Sequence, residues 1–238
     1  MVTELRVLSR SIGFLVVAIG FPAVFFLVMS EVFGSQQSGG LDMTTYMMIS
    51  MAAFGAVSGA ISTGARVAQE RQEGWNRTLR LTPLPGWSYV GTKVIVAMIM
   101  VVPTLLLILL TGFLIKGVEL SVAQWGQVLL AAWLGSLPFS LIGVVIGLAA
   151  KPGGVPAFST TTFLMLSMFG GLWFPMEIMP GFMQAFAKAL PSFWLADQAR
   201  SLVSGGSPAV LGLVVVTAWF LVCAALVVTL YRRDASRA

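Results

Sequence analysis

Histidine is absent from the 238 residues, and there is a single cysteine, Cys223. The first absence excludes imidazole proton shuttles, histidine metal sites and Ser-His triads. The second excludes an intramolecular disulfide framework, and Cys223, inside an apolar run, reads as a small packing residue. Charge is scarce too: 10% of residues are charged against 58% hydrophobic, with a mean hydropathy of +0.93. Soluble domains carry about 25% charged residues, so water is a poor solvent for most of this surface. No G-x-x-x-x-G-K-[ST] loop is present to cradle nucleotide phosphates. No Asp, Glu, Lys or Arg falls in the centre of an apolar run. That weighs against an ion-coupled carrier or a channel with a charged ring, both of which need such a group.

What the chain does have is length in its apolar runs. A helix needs about 20 apolar residues to cross the hydrocarbon core of a bilayer. Six runs approach this: 11–30, 44–64, 94–115, 122–149, 156–173 and 208–231. They predict an all-α integral membrane protein forming one transmembrane domain over 1–238, with residues 1–10 as an interfacial lead-in. Pro138 predicts a kink or tilt in the long fourth run. With both termini cytoplasmic, eleven basic residues lie inside: Arg6, Arg10, Arg66, Arg71, Arg77, Arg80, Lys93, Lys151, Arg232, Arg233 and Arg237. Only Lys116, Lys188 and Arg200 lie outside. This asymmetry predicts a multi-pass protein of the cell membrane, and the net charge of +5 reflects topology. A basic face interleaved with aromatics is missing, so nucleic acid is not an expected partner.

Two stretches interrupt the lipid-like pattern. The first is a polar island from Gln69 to Arg80, within a loop at 66–93. Five of the 14 basic and two of the nine acidic residues lie between Arg66 and Lys93. Thr82-Pro83-Leu84-Pro85-Gly86 would stop a helix sharply, so the island is expected to be a short, bounded, charged helix. The second stretch, 174–207, is rich in aromatics and prolines. It contains a helically spaced apolar set from Phe182 to Leu190 and a helix start at Pro191-Ser192 running to Val203. Segments this apolar are expected to re-enter the outer leaflet, as an aromatic plug or as a gate. Small residues four apart, Gly55 with Gly59 and Gly143 with Gly147, allow close helix approach, either within the chain or as a dimer seam.

Taken in order, Glu70-Arg71-Gln72-Glu73-Gly74 with Leu81-Thr82-Pro83-Leu84, then Gly91-Thr92-Lys93, then Gly170 to Pro175 with Met179-Pro180 and Leu190-Pro191, carry a resemblance to the type-2 ABC exporter permease family. The resemblance covers essentially the whole chain. It implies six transmembrane helices, a cytoplasmic coupling helix and an extracellular re-entrant helical hairpin. It also implies a separate ATPase subunit in two copies, holding the ATP and Mg that this chain has no site for. A second permease chain, identical or a sister, would complete the path. Coupling to the ATPase then falls to Glu70, Arg71, Glu73, Trp75, Arg77 and Arg80, with Trp75 and Leu79 as the apolar anchor. By analogy with the family, the path is lined from the second and fifth spans. Those spans offer Ser50, Met51, Phe54, Val57, Ser58 and Ile61, and Thr161, Met165, Met168, Phe169 and Trp173. If the outer segment is a gate, Trp173, Phe174 and Pro175 are its expected residues. Methionine and aromatic walls suit hydrophobic or amphipathic cargo such as drugs, antibiotics, lipid-like metabolites or peptides. The alternatives are an integral membrane enzyme or a regulatory membrane subunit acting on lipids. An enzyme would need convergent carboxylates, a Ser/Lys pair or metal ligands, and Glu177 and Asp197 stand apart from any obvious nucleophile.

Overall fold

Apolar length and helix-breaking residues dictate the elements of this computed structural model, which describes residues 12–34, 36–38, 40–73 and 86–236. The described residues open with α1 (Ile12–Phe33), followed by a two-stranded antiparallel ribbon, β1 (Gln37–Ser38) and β2 (Leu41–Asp42), paired Gln37 to Asp42 and Ser38 to Leu41. Asp42 then caps α2 (Met43–Ile61), its carboxylate accepting the Thr45 N–H at 2.8 Å. A junction at Ser62 with helical φ/ψ joins α2 to α3 (Thr63–Gln72), so the two form one 30-residue rod.

Next in the described chain come α4 (Gly86–Leu114), α5 (Val122–Gly135), α6 (Leu137–Ala149) and α7 (Val155–Phe169). Two short helices, α8 (Gly181–Ala187) and α9 (Pro191–Val203), precede the last helix, α10 (Val210–Ser236). The fourth run breaks at Ser136, with Pro138 in the first turn of α6. Proline fits there because the first-turn N–H has no helical partner to lose. Ser121 and Gln124 close a reciprocal capping box at the start of α5.

Among the described residues, four helical stretches are long and apolar enough to cross a membrane: Met43–Gln72, Ser88–Leu114, Val122–Ala149 and Val210–Arg233. The fifth apolar run is shorter than its sequence suggests. As helix it ends at Phe169, and 15 residues span only about 22 Å of a hydrocarbon core roughly 30 Å thick. Gly170-Gly171 ends it, and Gly171 turns the chain with φ +68°, a conformation that costs little only where there is no β-carbon.

The core is organised around α2, of which 16 of 19 residues are buried. By contrast, α10 shows Leu211, Val214, Leu221 and Val222 more than half exposed, an apolar surface that only lipid or protein can cover. Several of the polar groups inside are satisfied locally or across helices. The Ser50, Ser136 and Ser140 hydroxyls donate to carbonyls three or four residues back, and Trp133 Nε1 donates to the Met98 carbonyl at 2.9 Å, tying α5 to α4. Replacing Trp133 by phenylalanine should leave that carbonyl without its donor and lower thermal stability by about 1 kcal/mol, read as a small drop in the melting temperature of purified protein.

Both glycine pairs are used within the chain. A β-carbon at Gly55 would meet the Thr104 methyl at 2.5 Å, on α4. One at Gly143 would meet the Ile61 carbonyl oxygen at 2.6 Å, one at Gly64 the Gly143 oxygen at 2.3 Å, and one at Gly147 the Gly64 oxygen at 2.5 Å. Backbones of α3 and α6 thus touch directly, the close approach that small residues permit. Of the two uses open from sequence, close packing inside the chain is the one these contacts realise.

Candidate functional site

At one end of the rod, the start of the polar island lies within the helical rod itself. A separate bounded helix was expected from Gln69 onward; instead Gln69 to Gln72 form the last turn of α3, because helix-favouring Ala-Gln-Glu-Arg-Gln simply extends the span. Glu70 and Arg71 turn back onto the bundle. The Glu70 carboxylate is ion-paired with Lys93 and accepts the Tyr89 hydroxyl at 2.8 Å. Lys93 is itself buried, 5% exposed, and lies 5.4 Å from the Tyr89 ring centroid. The Tyr89 ring stacks on Tyr231 of α10 at 5.9 Å. Arg71 Nη1 donates to the Gly147 and Leu148 carbonyls at 2.9 and 2.7 Å, at the C-terminal end of α6, where carbonyls lack helical donors.

One turn of α3 therefore clasps α4 and α6, and through Tyr89 it reaches α10. Glu73, just beyond, caps α3 and accepts from the Gln69 amide at 3.0 Å on the exposed side. Trp75, Arg77 and Arg80 lie outside the described residues, as does most of the island's sequence.

Sequence reasoning missed Lys93 and Tyr89 as members of this cluster, although a signal existed. A tyrosine and a lysine four apart, heading a long apolar helix, share one face, and a charge placed so close to lipid calls for a partner.

At the opposite end, the aromatic segment folds as two helices close to their expected bounds, α8 and α9. This hairpin is bound to the bundle from several sides. Ser192 Oγ donates to the Leu166 carbonyl at 2.6 Å, Gln124 Nε2 to the Val203 carbonyl at 2.9 Å, and Trp219 Nε1 to the Ala189 carbonyl at 2.9 Å. The Ser38 hydroxyl donates to Glu177 Oε2 at 3.0 Å, joining the short ribbon to the hairpin. Arg200, expected among outer loop residues, is instead buried, because α9 packs on α2 and carries it inward. Its Nη2 donates to the Ser50 hydroxyl at 2.8 Å. Burial lifts the Asp197 carboxyl above its ordinary range, with Arg200 and Lys188 pulling the other way.

The residues singled out for a path fall into two groups. Ser50, Met51 and Phe54 are buried inside the chain, and Ser58 is half-buried, whereas Met165 and Met168 are about half exposed on the outside of α7. The structure brings Phe54 together with Trp173 of the expected gate, ring centroids 5.9 Å apart, and with Phe163 at 4.6 Å. Phe21 and Phe25 of α1 complete this aromatic group around Trp173. Phe169 leaves it to pack edge-on against Phe186 of the hairpin at 5.6 Å. Phe174 is exposed and Pro175 buried, side by side at the turn into the hairpin. Among the described residues no group of three His, Cys, Asp or Glu side chains could hold a metal ion.

Comparison with known proteins agrees with this architecture. The chain is 30% identical over 221 residues to "Putative transport permease YvfS" of Bacillus subtilis (strain 168), covering 92% of this chain and 90% of that protein. Residues 2–203, most of the length, match the family described as ABC-2 type transporter. A bundle of apolar helices with a charged clasp at one end and a packed aromatic hairpin at the other is thus a multi-pass membrane subunit, and the chain belongs to the ABC-2 type transporter family.

Proposed function

We propose that this chain is the membrane-spanning half of an ATP-driven exporter, energised by a separate ATPase subunit and moving hydrophobic or amphipathic compounds out of the cell. The observation that carries the coupling part is the clasp at Glu70 and Arg71. The segment from Glu73 to Pro85 joins α3 to α4, and the last turn of α3 is bonded to both α4 and α6. A push on that segment reaches three helices at once, because the contacts on either side of it are ionic, hydrogen-bonded and short-range.

In this arrangement Glu73, Trp75, Arg77 and Arg80 meet the ATPase, while Glu70 and Arg71 transmit the motion inward. Two ATPase copies, each with ATP and Mg, serve two permease chains, identical or sister. Positive-inside bias puts both termini and the clasp in the cytoplasm and the hairpin outside. Six crossings follow, with α1 and α7 joining the four long spans, and α8–α9 re-entering from the outer side. The apolar outer faces of α7 and α8, with Met165, Met168, Phe182 and Phe186 exposed, suit a path shared with a second chain and a cargo recognised by adaptable apolar contact.

Co-purification tests this. The chain expressed with its genomic neighbours is expected to retain a soluble ATPase, and charge reversal at Glu73 and Arg77 together should reduce the retained ATPase at least about tenfold, as for loss of interfacial charge pairs. Replacing 73–80 by Gly/Ser spares Glu70 and Arg71, so the bundle stays intact. ATPase retention and drug-stimulated turnover after that replacement would overturn the docking assignment.

A further inference from the structure

Arg200 has no part in the coupling described above, yet its position is unusual for a cation. It is 7% exposed, and it meets α2 at Ser50, seven residues or about 10 Å along the axis from the start of α2. Its polar contacts are incomplete. Nη2 donates to the Ser50 hydroxyl, the guanidinium carbon lies 3.9 Å from the Tyr46 ring centroid, and Nε has no partner. Among the described residues no carboxylate comes within ion-pair distance of it. Asp197, one turn earlier on the same helix, acts on it only at longer range.

A guanidinium withdrawn from water for one hydroxyl and one ring face is poorly repaid for its lost hydration. An apolar side chain of similar length would seal α9 to α2 at less cost. The cation differs in what happens on separation: once α9 lifts, the guanidinium regains water, which lowers the free energy of the open arrangement. The contact is therefore cheaper to release than an apolar seal of the same size. It is also well placed, because the α2–α3 rod carries Tyr46 and Ser50 near one end and Glu70 and Arg71 at the other.

We propose that Arg200 is a reversible latch that holds the hairpin on the second span through Ser50 and Tyr46, and that its withdrawal opens the outer end during the transport cycle. The anchoring is a property of this chain alone; the opening rests on the exporter reading. Arg200 acts as a positioning residue in this scheme.

The test uses full-length chain in nanodiscs with Cys223→Ser and one reporter cysteine. Ala199→Cys reports on α9 and Ala56→Cys on the core of α2, both sites being fully buried. With an impermeant maleimide, Arg200→Met should label the Ala199→Cys reporter at least about tenfold faster than the parent, while Ala56→Cys stays protected. Arg200→Lys, which keeps a donor and a cation over the ring, should stay within about threefold of the parent. If Arg200→Met exposes both reporters, the bundle has loosened, and Ser50→Ala then decides, since it removes the accepting hydroxyl, whose other bond lies within α2, and leaves the guanidinium in place. Unchanged labelling of Ala199→Cys in Arg200→Met, or in Ser50→Ala where that variant decides, overturns the latch.

A static pin would not respond to nucleotide. With the co-purified ATPase bound, ATP should speed labelling of Ala199→Cys in the unmutated latch. Continued protection during measured ATP hydrolysis would overturn the opening step while leaving the exporter reading standing. Absence of any co-purified ATPase would count against the exporter reading, with the anchoring still decided by the nucleotide-free measurement.

Discussion

Gly143→Leu is expected to abolish the folded protein. The site faces backbone: an added β-carbon would sit 2.6 Å from the Ile61 carbonyl oxygen and 3.1 Å from the Ile61 carbonyl carbon and Cα. No rotamer change relieves a clash with main chain, so α6 must separate from the α2–α3 rod. Separation also removes the approach of Gly64 and Gly147 and draws the Gly147 and Leu148 carbonyls away from Arg71. Overpacking of this kind costs about 3 kcal/mol or more, and the lost bonds add to it.

The expected observation is loss of the monodisperse peak in size-exclusion chromatography of detergent-extracted protein, with Gly64→Leu behaving alike. Gly126 on α5 is the control. A β-carbon there would meet nothing within 4 Å, so Gly126→Ala should be neutral or slightly stabilising through helix propensity. A folded, monodisperse Gly143→Leu protein would show that this glycine face does not set the packing inside the chain.

Removing the charge at Glu70 is the second large perturbation. Glu70→Gln leaves the buried Lys93 ammonium without its carboxylate and weakens the hydrogen bond from Tyr89. Breaking one side of a buried ion pair costs about 3 kcal/mol. The melting temperature should fall by several degrees, as about 3 kcal/mol implies for a chain of this size. Joint replacement, Glu70→Leu with Lys93→Met, should recover most of that stability, because two apolar groups need no desolvation compensation.

Transport separates the two roles of the pair. On the proposed exporter reading, the stable double variant should still hold an ATPase through Glu73 and the residues beyond it, yet lose cargo-stimulated turnover, because an apolar seam transmits less directional force than a bonded clasp. Full transport activity in the double variant would show that the clasp is only a brace.

Much of this arrangement was legible from local pattern. The apolar runs gave helices in the expected order, Pro138 marked the break after Gly135, and the start at Pro191 and the end near Val203 placed α9 closely. These features depend on backbone geometry within a few residues, which proline, glycine and hydropathy report directly. The β1–β2 ribbon went unseen because two-residue strands carry no periodic signal. The polar island was misjudged at its near edge for a similar reason: the residues are good helix formers, and polarity alone does not say whether a span ends or runs on.

Composition and order by themselves determined that this chain is a bundle of apolar helices, with charge gathered beyond the second span and aromatics before the last. Burial of apolar surface and the need to satisfy backbone groups leave few other solutions for such a sequence. Only the tertiary structure decided which polar groups meet: Glu70 with Lys93 and Tyr89, Arg71 with the end of α6, and Arg200 with Ser50 across 150 residues of chain. Those pairings depend on how helices cross, and the crossings are set by glycine faces such as Gly64 against Gly143. A one-dimensional pattern records which face of a helix is small or charged; it holds no record of the helix that will be pressed against it.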